Sequence, residues 1–177
     1  MFSSLRKLFK ADPDPREARR PLWNAVVAAA REPHWYLAGG VPDTLDGRFD
    51  MVSLILALVL HRIDEDPEQA LAGVELTELF VSDMDGQMRQ IGFGDMVVGK
   101  QVGRMVGALG GRLGAYRAAD GSEELKAALV RNLWRGKNAP EAGLAHVLAE
   151  VAALRSALAT MPTEALVDSD RLPGHSK

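Results

Sequence analysis

The chain contains no cysteine. Disulfides, thiolate metal sites and cysteine nucleophiles are thereby excluded, and the absence suits a reducing compartment. It also lacks a long apolar run. Crossing a bilayer takes roughly 20 such residues, and the best candidate, Met51 to Leu60, is closed by His61 and Arg62 after about half that length. Met1 to Lys10 has neither a continuous apolar stretch nor a cleavage site, so no secretory signal is expected. An excess of one charge is missing too. The 21 Lys and Arg against 24 Asp and Glu leave a formal net charge of −3, which gives no support for a general DNA or RNA binder. The expectation is a cytoplasmic protein, at most peripheral on the inner membrane.

What is present is an ordinary globular composition. Hydrophobic residues make up 47% and charged residues 25% of the 177 positions, enough for one domain with a real core. The apolar residues follow helical spacing almost throughout, and no convincing alternating stretch of strand length appears. The fold class expected is therefore all-α, a single globular bundle of about six or seven helices.

Residues 1–15 read as an amphipathic segment and a linker. Phe2, Leu5, Leu8 and Phe9 share one face opposite Arg6, Lys7 and Lys10, and Pro13 and Pro15 then break the helix. Residues 16–162 read as the helical domain. Its first helix runs from about Arg16 to Arg31, and a loop from His34 to Pro42 follows. The stretch Leu45 to Asp64 is apolar nearly all round, which marks a central buried helix. Asp66 and Pro67 open another helix that stops or kinks near Gly86. Further helices are expected from about Met96 to Tyr116, from Ser122 to the stop at Gly136, and from Pro140 to Pro162. Residues 163–177, polar and containing proline and glycine, read as a disordered tail.

Gly99, Gly103, Gly107 and Gly111 recur every fourth residue along one helix. A glycine inside a helix costs about 0.5–1 kcal/mol relative to alanine. The simplest reason for four on one face is close approach of another helix of the same bundle, and a client-binding face is the alternative.

Catalytic motifs are suggested and then fail. Gly94 to Lys100 fits the first seven positions of a phosphate-binding loop, but Gln101 stands where Ser or Thr must hold magnesium, and no strand precedes it. Gly92 and Gly94 lack the strand–turn–helix unit of a dinucleotide fingerprint. Asp83, Asp85 and Gly86 resemble the start of a calcium loop, yet its twelfth position is Gly94 rather than glutamate. His34, His61, His146 and His175 are scattered, and no serine sits in a nucleophile elbow. No catalytic, cofactor-binding or metal-binding residue is assigned, and a non-enzyme without cofactor is expected.

The stretch from Val41 to Asp50 (Val-Pro-Asp-Thr-Leu-Asp-Gly-Arg-Phe-Asp) resembles a signature of the ubiquinol–cytochrome c chaperone family. So do Asp83 and Asp85 followed by Arg89, Gly92, Gly94 and Asp95, then Val98, Gly99 and Lys100, in the same order and spacing. The resemblance covers roughly Leu22 to Tyr116, and Leu45 departs from it where relatives often carry an aromatic residue. It implies an all-helical assembly factor for ubiquinol–cytochrome c reductase whose client is cytochrome b. The mitochondrial relatives work with a small partner protein and associate with the ribosome. With no long transit peptide, this chain resembles the shorter bacterial form.

On that reading the residues expected to touch a partner are Trp35, Tyr36, Asp43, Arg48, Phe49, Asp50, Met84, Asp85, Met88, Arg89, Asp95 and Lys100. Trp35 and Tyr36 are the expected exposed anchors, with packing over the end of the bundle as the equal alternative, and the methionines suit a surface that accepts varied shapes, with core filling as theirs. Ion pairing among the charged signature residues is the competing reading. The basic segment 1–10 is a candidate for contact with anionic lipid or ribosomal RNA. A small helical enzyme or carrier handling haem or quinone, and a general membrane-surface adaptor, are the alternative functions.

Overall fold

The structure, a computed structural model, describes residues 14–92, 94–119 and 121–174, apart from the side chains of Met96 and Ser122. Among them there is no strand. Six helices of eleven residues or more carry the fold: α1 (Arg20–Ala30), α3 (Leu45–Asp64), α4 (Ala70–Gln90), α5 (Asp95–Arg117), α6 (Ser122–Leu133) and α7 (Glu141–Thr160). Two five-residue helices, α2 (Pro33–Leu37) and α8 (Thr163–Val167), complete the set.

The sequence explains where these elements begin. Asp14 accepts the Arg16 N–H and starts a 3-10 turn, Pro15–Arg19, that leads into α1. Thr44 caps α3 by accepting the Gly47 N–H at 3.1 Å. Helix α6 ends where Arg135 and Gly136 turn left-handed (φ 56° and 70°), and the Gly136 N–H closes back on the Val130 carbonyl at 3.2 Å.

Helix α3 is the axis of the molecule, packing against α1, α4, α5, α6, α7 and α8. Its residues from Asp50 to Leu60 are all buried, as the unbroken apolar pattern predicts. Gly143 lets α7 approach the backbone of the turn that follows α2, and Gly39 lets that turn close tightly on α2. A Cβ on Gly143 would lie 2.3 Å from the Gly39 carbonyl oxygen, and one on Gly39 would lie 2.4 Å from that of Trp35.

Five expectations change. The loop from His34 to Pro42 holds α2, which is too short to show periodicity but begins with proline at its first position. Helix α4 runs past Gly86 to Gln90 without a stop. Residues 163–174 are not a disordered tail. Leu166, Val167 and Leu172 are buried, and Arg19 donates to the Val167 carbonyl at 2.7 Å from 148 positions away, a contact that local composition cannot reveal. The glycine stripe of α5 packs against no other described residue: among these, no atom beyond its own helix backbone lies within 4 Å of an added Cβ at Gly99, Gly103, Gly107 or Gly111. Finally, among the described residues α7 rather than Met51–Leu60 comes nearest to a membrane span, with a mean hydropathy of 1.3 over an 18-residue stretch of its 20 residues. It nevertheless buries Leu144, Val147, Val151, Leu154 and Leu158 in the bundle. The amphipathic segment expected at 1–10 lies outside the described residues.

Candidate functional site

The segment Val41 to Asp50 folds as a tight entry into α3. The Thr44 N–H donates to the Pro42 carbonyl at 2.9 Å, and a Cβ on Gly47 would fall 1.9 Å from that same oxygen, so only glycine fits. Asp43 and Arg48 pair at 2.6 Å on the surface; the Arg48 hydrogen bond holds the Asp43 carboxyl below its ordinary value.

Asp50 faces inward and has no exposed surface. Arg112 of α5 donates to one of its oxygens, and Arg135 donates to the other at 3.3 Å while pairing with Asp46 at 2.8 Å. Arg112 also lies over the Phe49 ring, 5.4 Å from its centroid. Burial pushes the Asp50 carboxyl up from its ordinary value, and the two guanidiniums oppose that push. This network ties α3 to α5 and α6, so Asp50 is an internal lock rather than a surface contact.

The second signature block locks the turn between α4 and α5. Arg89 pairs with Asp85 one helical turn before it, at 2.7 Å, and with Asp95 at the start of α5. Asp83 reaches the other way, accepting from the Trp23 indole at 2.5 Å and pairing with Arg20 at 3.2 Å. Lys100 is exposed on α5.

Of the two readings for Trp35, the structure takes the packed one: the side chain is fully buried and donates to the Ala29 carbonyl at 2.8 Å. Tyr36 is half-buried and donates to the Ala30 carbonyl at 2.8 Å. The two aromatics satisfy the last carbonyls of α1, which a helix end leaves without partners. Partial burial raises the Tyr36 hydroxyl.

Four of the expected residues do meet. Arg48, Phe49, Met84 and Met88, with Leu45 and Met105, line a groove of about 190 Å³ between α1, α3, α4 and α5. Leu45 stands at its lip, 54% exposed. Sites for drug-sized molecules run to roughly 300–1,000 Å³, so this groove suits side-chain anchors better than a cofactor. Beside it, α5 turns its glycines outward together with the exposed Val97 and Val106.

The roles of Arg112 and Arg135 were not foreseen. Arg135 sits 85 positions from Asp50, and no local pattern pairs them. His34 and His146, which looked scattered, share a hydrogen bond at 2.9 Å, and Glu32 contacts the other His34 nitrogen at 3.0 Å. Since Glu32 and His146 engage opposite nitrogens of one ring, the three do not converge on a single ion. No cluster of three metal-binding side chains occurs among the described residues.

A helical bundle whose signature residues build locks and an apolar groove belongs among proteins that act by binding others, and the comparisons agree. The chain belongs to the ubiquinol–cytochrome C chaperone family, whose model matches residues 37–171. It is similar to a solved structure described as the Cbp3 homolog from Brucella abortus. The two share 32% identity and a TM-score of 0.77, over 97% of this chain and 95% of that one. A comparison with curated proteins found no match. The chain thus has the all-helical fold and the family of an assembly chaperone for ubiquinol–cytochrome c reductase.

Proposed function

We propose that the protein holds newly made cytochrome b until the ubiquinol–cytochrome c reductase is assembled around it, and that it does so without catalysis. The observation that carries this reading is the groove itself. Phe49 and Met84 of the signature stretches converge with Met88 and Met105 on a largely apolar slot that no segment of the described chain fills, the buried Met84 and Met88 forming its floor. Flexible, polarizable methionines adapt to differing client side chains. The ion-pair locks at Asp50 and Arg89 tie together α3, α4 and α5, three of the four helices that frame the slot.

The outward glycine face of α5 supports the same reading. It lets a second helix approach closely, as small residues do where membrane helices pack. A client segment anchored in the groove would run along α5, a helix-in-groove mode of recognition. Contact of residues 1–10 with the membrane surface belongs to the same proposal. Deleting them should reduce co-sedimentation with anionic liposomes, and undiminished binding rules that contact out.

Affinity purification from cells grown under respiratory conditions tests the client. Wild-type protein should recover cytochrome b, and Leu45→Glu, an exposed change at the groove lip, should recover much less while remaining folded. Equal recovery by the variant places the client elsewhere. A chromophore bound to the purified protein, without cytochrome b, would favour a haem or quinone carrier.

A further inference from the structure

A group of three arginines lies away from the groove. Where α3, α5 and α7 end together, a cleft of about 510 Å³ opens to solvent. Leu58 and Leu158 give it an apolar wall, and Arg62, Arg117 and Arg155 bring three guanidiniums to it. Two carboxylates face them from α3. Asp64 pairs with Arg117, and Glu65 pairs with Arg62 at 3.2 Å. Arg62 is otherwise committed, donating to the Leu158 and Met161 carbonyls at 3.0 and 2.9 Å.

Arg155 is the cation left over. It is half-buried, it has no acidic partner among the described residues, and one of its five N–H donors is accounted for, by the Tyr116 carbonyl at 2.9 Å. A shielded guanidinium with spare donors presents a planar fork that matches a carboxylate or a phosphate. A purely capping role on the last turn of α5 would use only the bond to Tyr116.

We propose that this cleft binds an oxyanion, a carboxylate or phosphate group, on the free fork of Arg155, with the apolar wall taking the body that carries it. His61 reports on the site. It sits at the cleft edge, where its Nε2–H donates to the Leu113 carbonyl at 3.0 Å. Burial lowers its pKa, and the charges of Arg117 and Arg155 lower it further, against the opposing pull of the Leu113 bond and Asp64. An anion seated on Arg155 cancels part of that repulsion, so His61 titrates at higher pH when the cleft is occupied.

The test is an NMR titration of His61 in the full chain at fixed ionic strength. Inorganic phosphate and acetate are the soluble probes, chloride is the control, and vesicles of phosphatidylcholine with or without phosphatidylglycerol test a headgroup as the source. The expected result is a saturable upward shift of the His61 pKa with at least one oxyanion and none with chloride. Arg155→Met should weaken the response by about tenfold or more, as loss of a charged hydrogen bond implies. Arg155→Lys keeps the charge and can still donate to Tyr116; it should fold normally and bind more weakly than wild type. A response to phosphatidylglycerol alone assigns the site to lipid, and one to free phosphate or acetate assigns it to a soluble anion. If no oxyanion shifts His61 in the wild type, or if both variants respond as the wild type does, the proposal is wrong.

Discussion

Replacing Asp50 by asparagine isolates the charge at the centre of the fold, because the side chain keeps its size and leaves no cavity. The carboxylate is wholly buried and the Arg112 side chain is only 13% exposed, so the change strands a guanidinium in the interior. Breaking one side of a buried ion pair costs about 3–5 kcal/mol. In a domain of this size each kcal/mol moves the melting temperature by roughly 2–4 °C, so a fall of roughly 6–20 °C is expected. Two controls sharpen the result. Asp46→Asn removes the exposed partner of Arg135 and should cost no more than about 1 kcal/mol. Asp50→Leu combined with Arg112→Met removes both charges and should restore much of the loss, since apolar replacement of a whole buried pair is often neutral. The assay is thermal unfolding followed by circular dichroism at neutral pH. A melting temperature for Asp50→Asn within about 2 °C of wild type would refute the idea that this network holds α3, α5 and α6 together.

Glycines on the two sides of the molecule should behave oppositely. Gly103→Ala and Gly107→Ala meet open space and improve helix propensity, so each should stabilise the isolated protein by about 0.5–1 kcal/mol while lowering recovery of cytochrome b; unchanged recovery removes the α5 face from client binding. Gly47→Ala and Gly143→Ala drive a methyl into backbone carbonyls and should destabilise by about 1–3 kcal/mol or more, read by urea unfolding. His61 titrates below its ordinary value in the fold, so its contribution to stability is present above the unfolded value of 6.5 and is lost as pH falls through the lowered folded value. Stability should therefore decline on acidification below neutrality, and His61→Gln should flatten that part of the profile. An unchanged slope in the variant would assign the decline to other groups.

The long helices were legible because their apolar spacing is local. Helix α3 declares itself through the dense apolar stretch from Met51 to Leu60, broken only by Ser53, and the structure places it at the centre. The signature segments were also readable, but as motifs rather than as geometry. Nothing in the sequence says that Asp50 turns inward to arginines from two other helices while Asp43, seven positions earlier, pairs at the surface. The indole of Trp35 could equally have faced solvent; the bare carbonyls at the end of α1 decide where it goes. The tail was misjudged for a related reason. Its three buried apolar residues are sparse among polar ones, and α8 packs against α3 and the Pro67–Gln69 turn, roughly a hundred positions away in the chain. The glycine stripe was visible, but whether a neighbour occupies it depends on the packing of all the other helices.

The most direct measurement is made in cells. The gene is deleted and the reduced-minus-oxidised haem spectrum of membranes is recorded, with the wild-type gene restored as the control. A chaperone dedicated to cytochrome b predicts selective loss of the b-type signal of ubiquinol–cytochrome c reductase, recovered on restoration. Normal levels of that signal and of the assembled reductase in the deletion strain would contradict it.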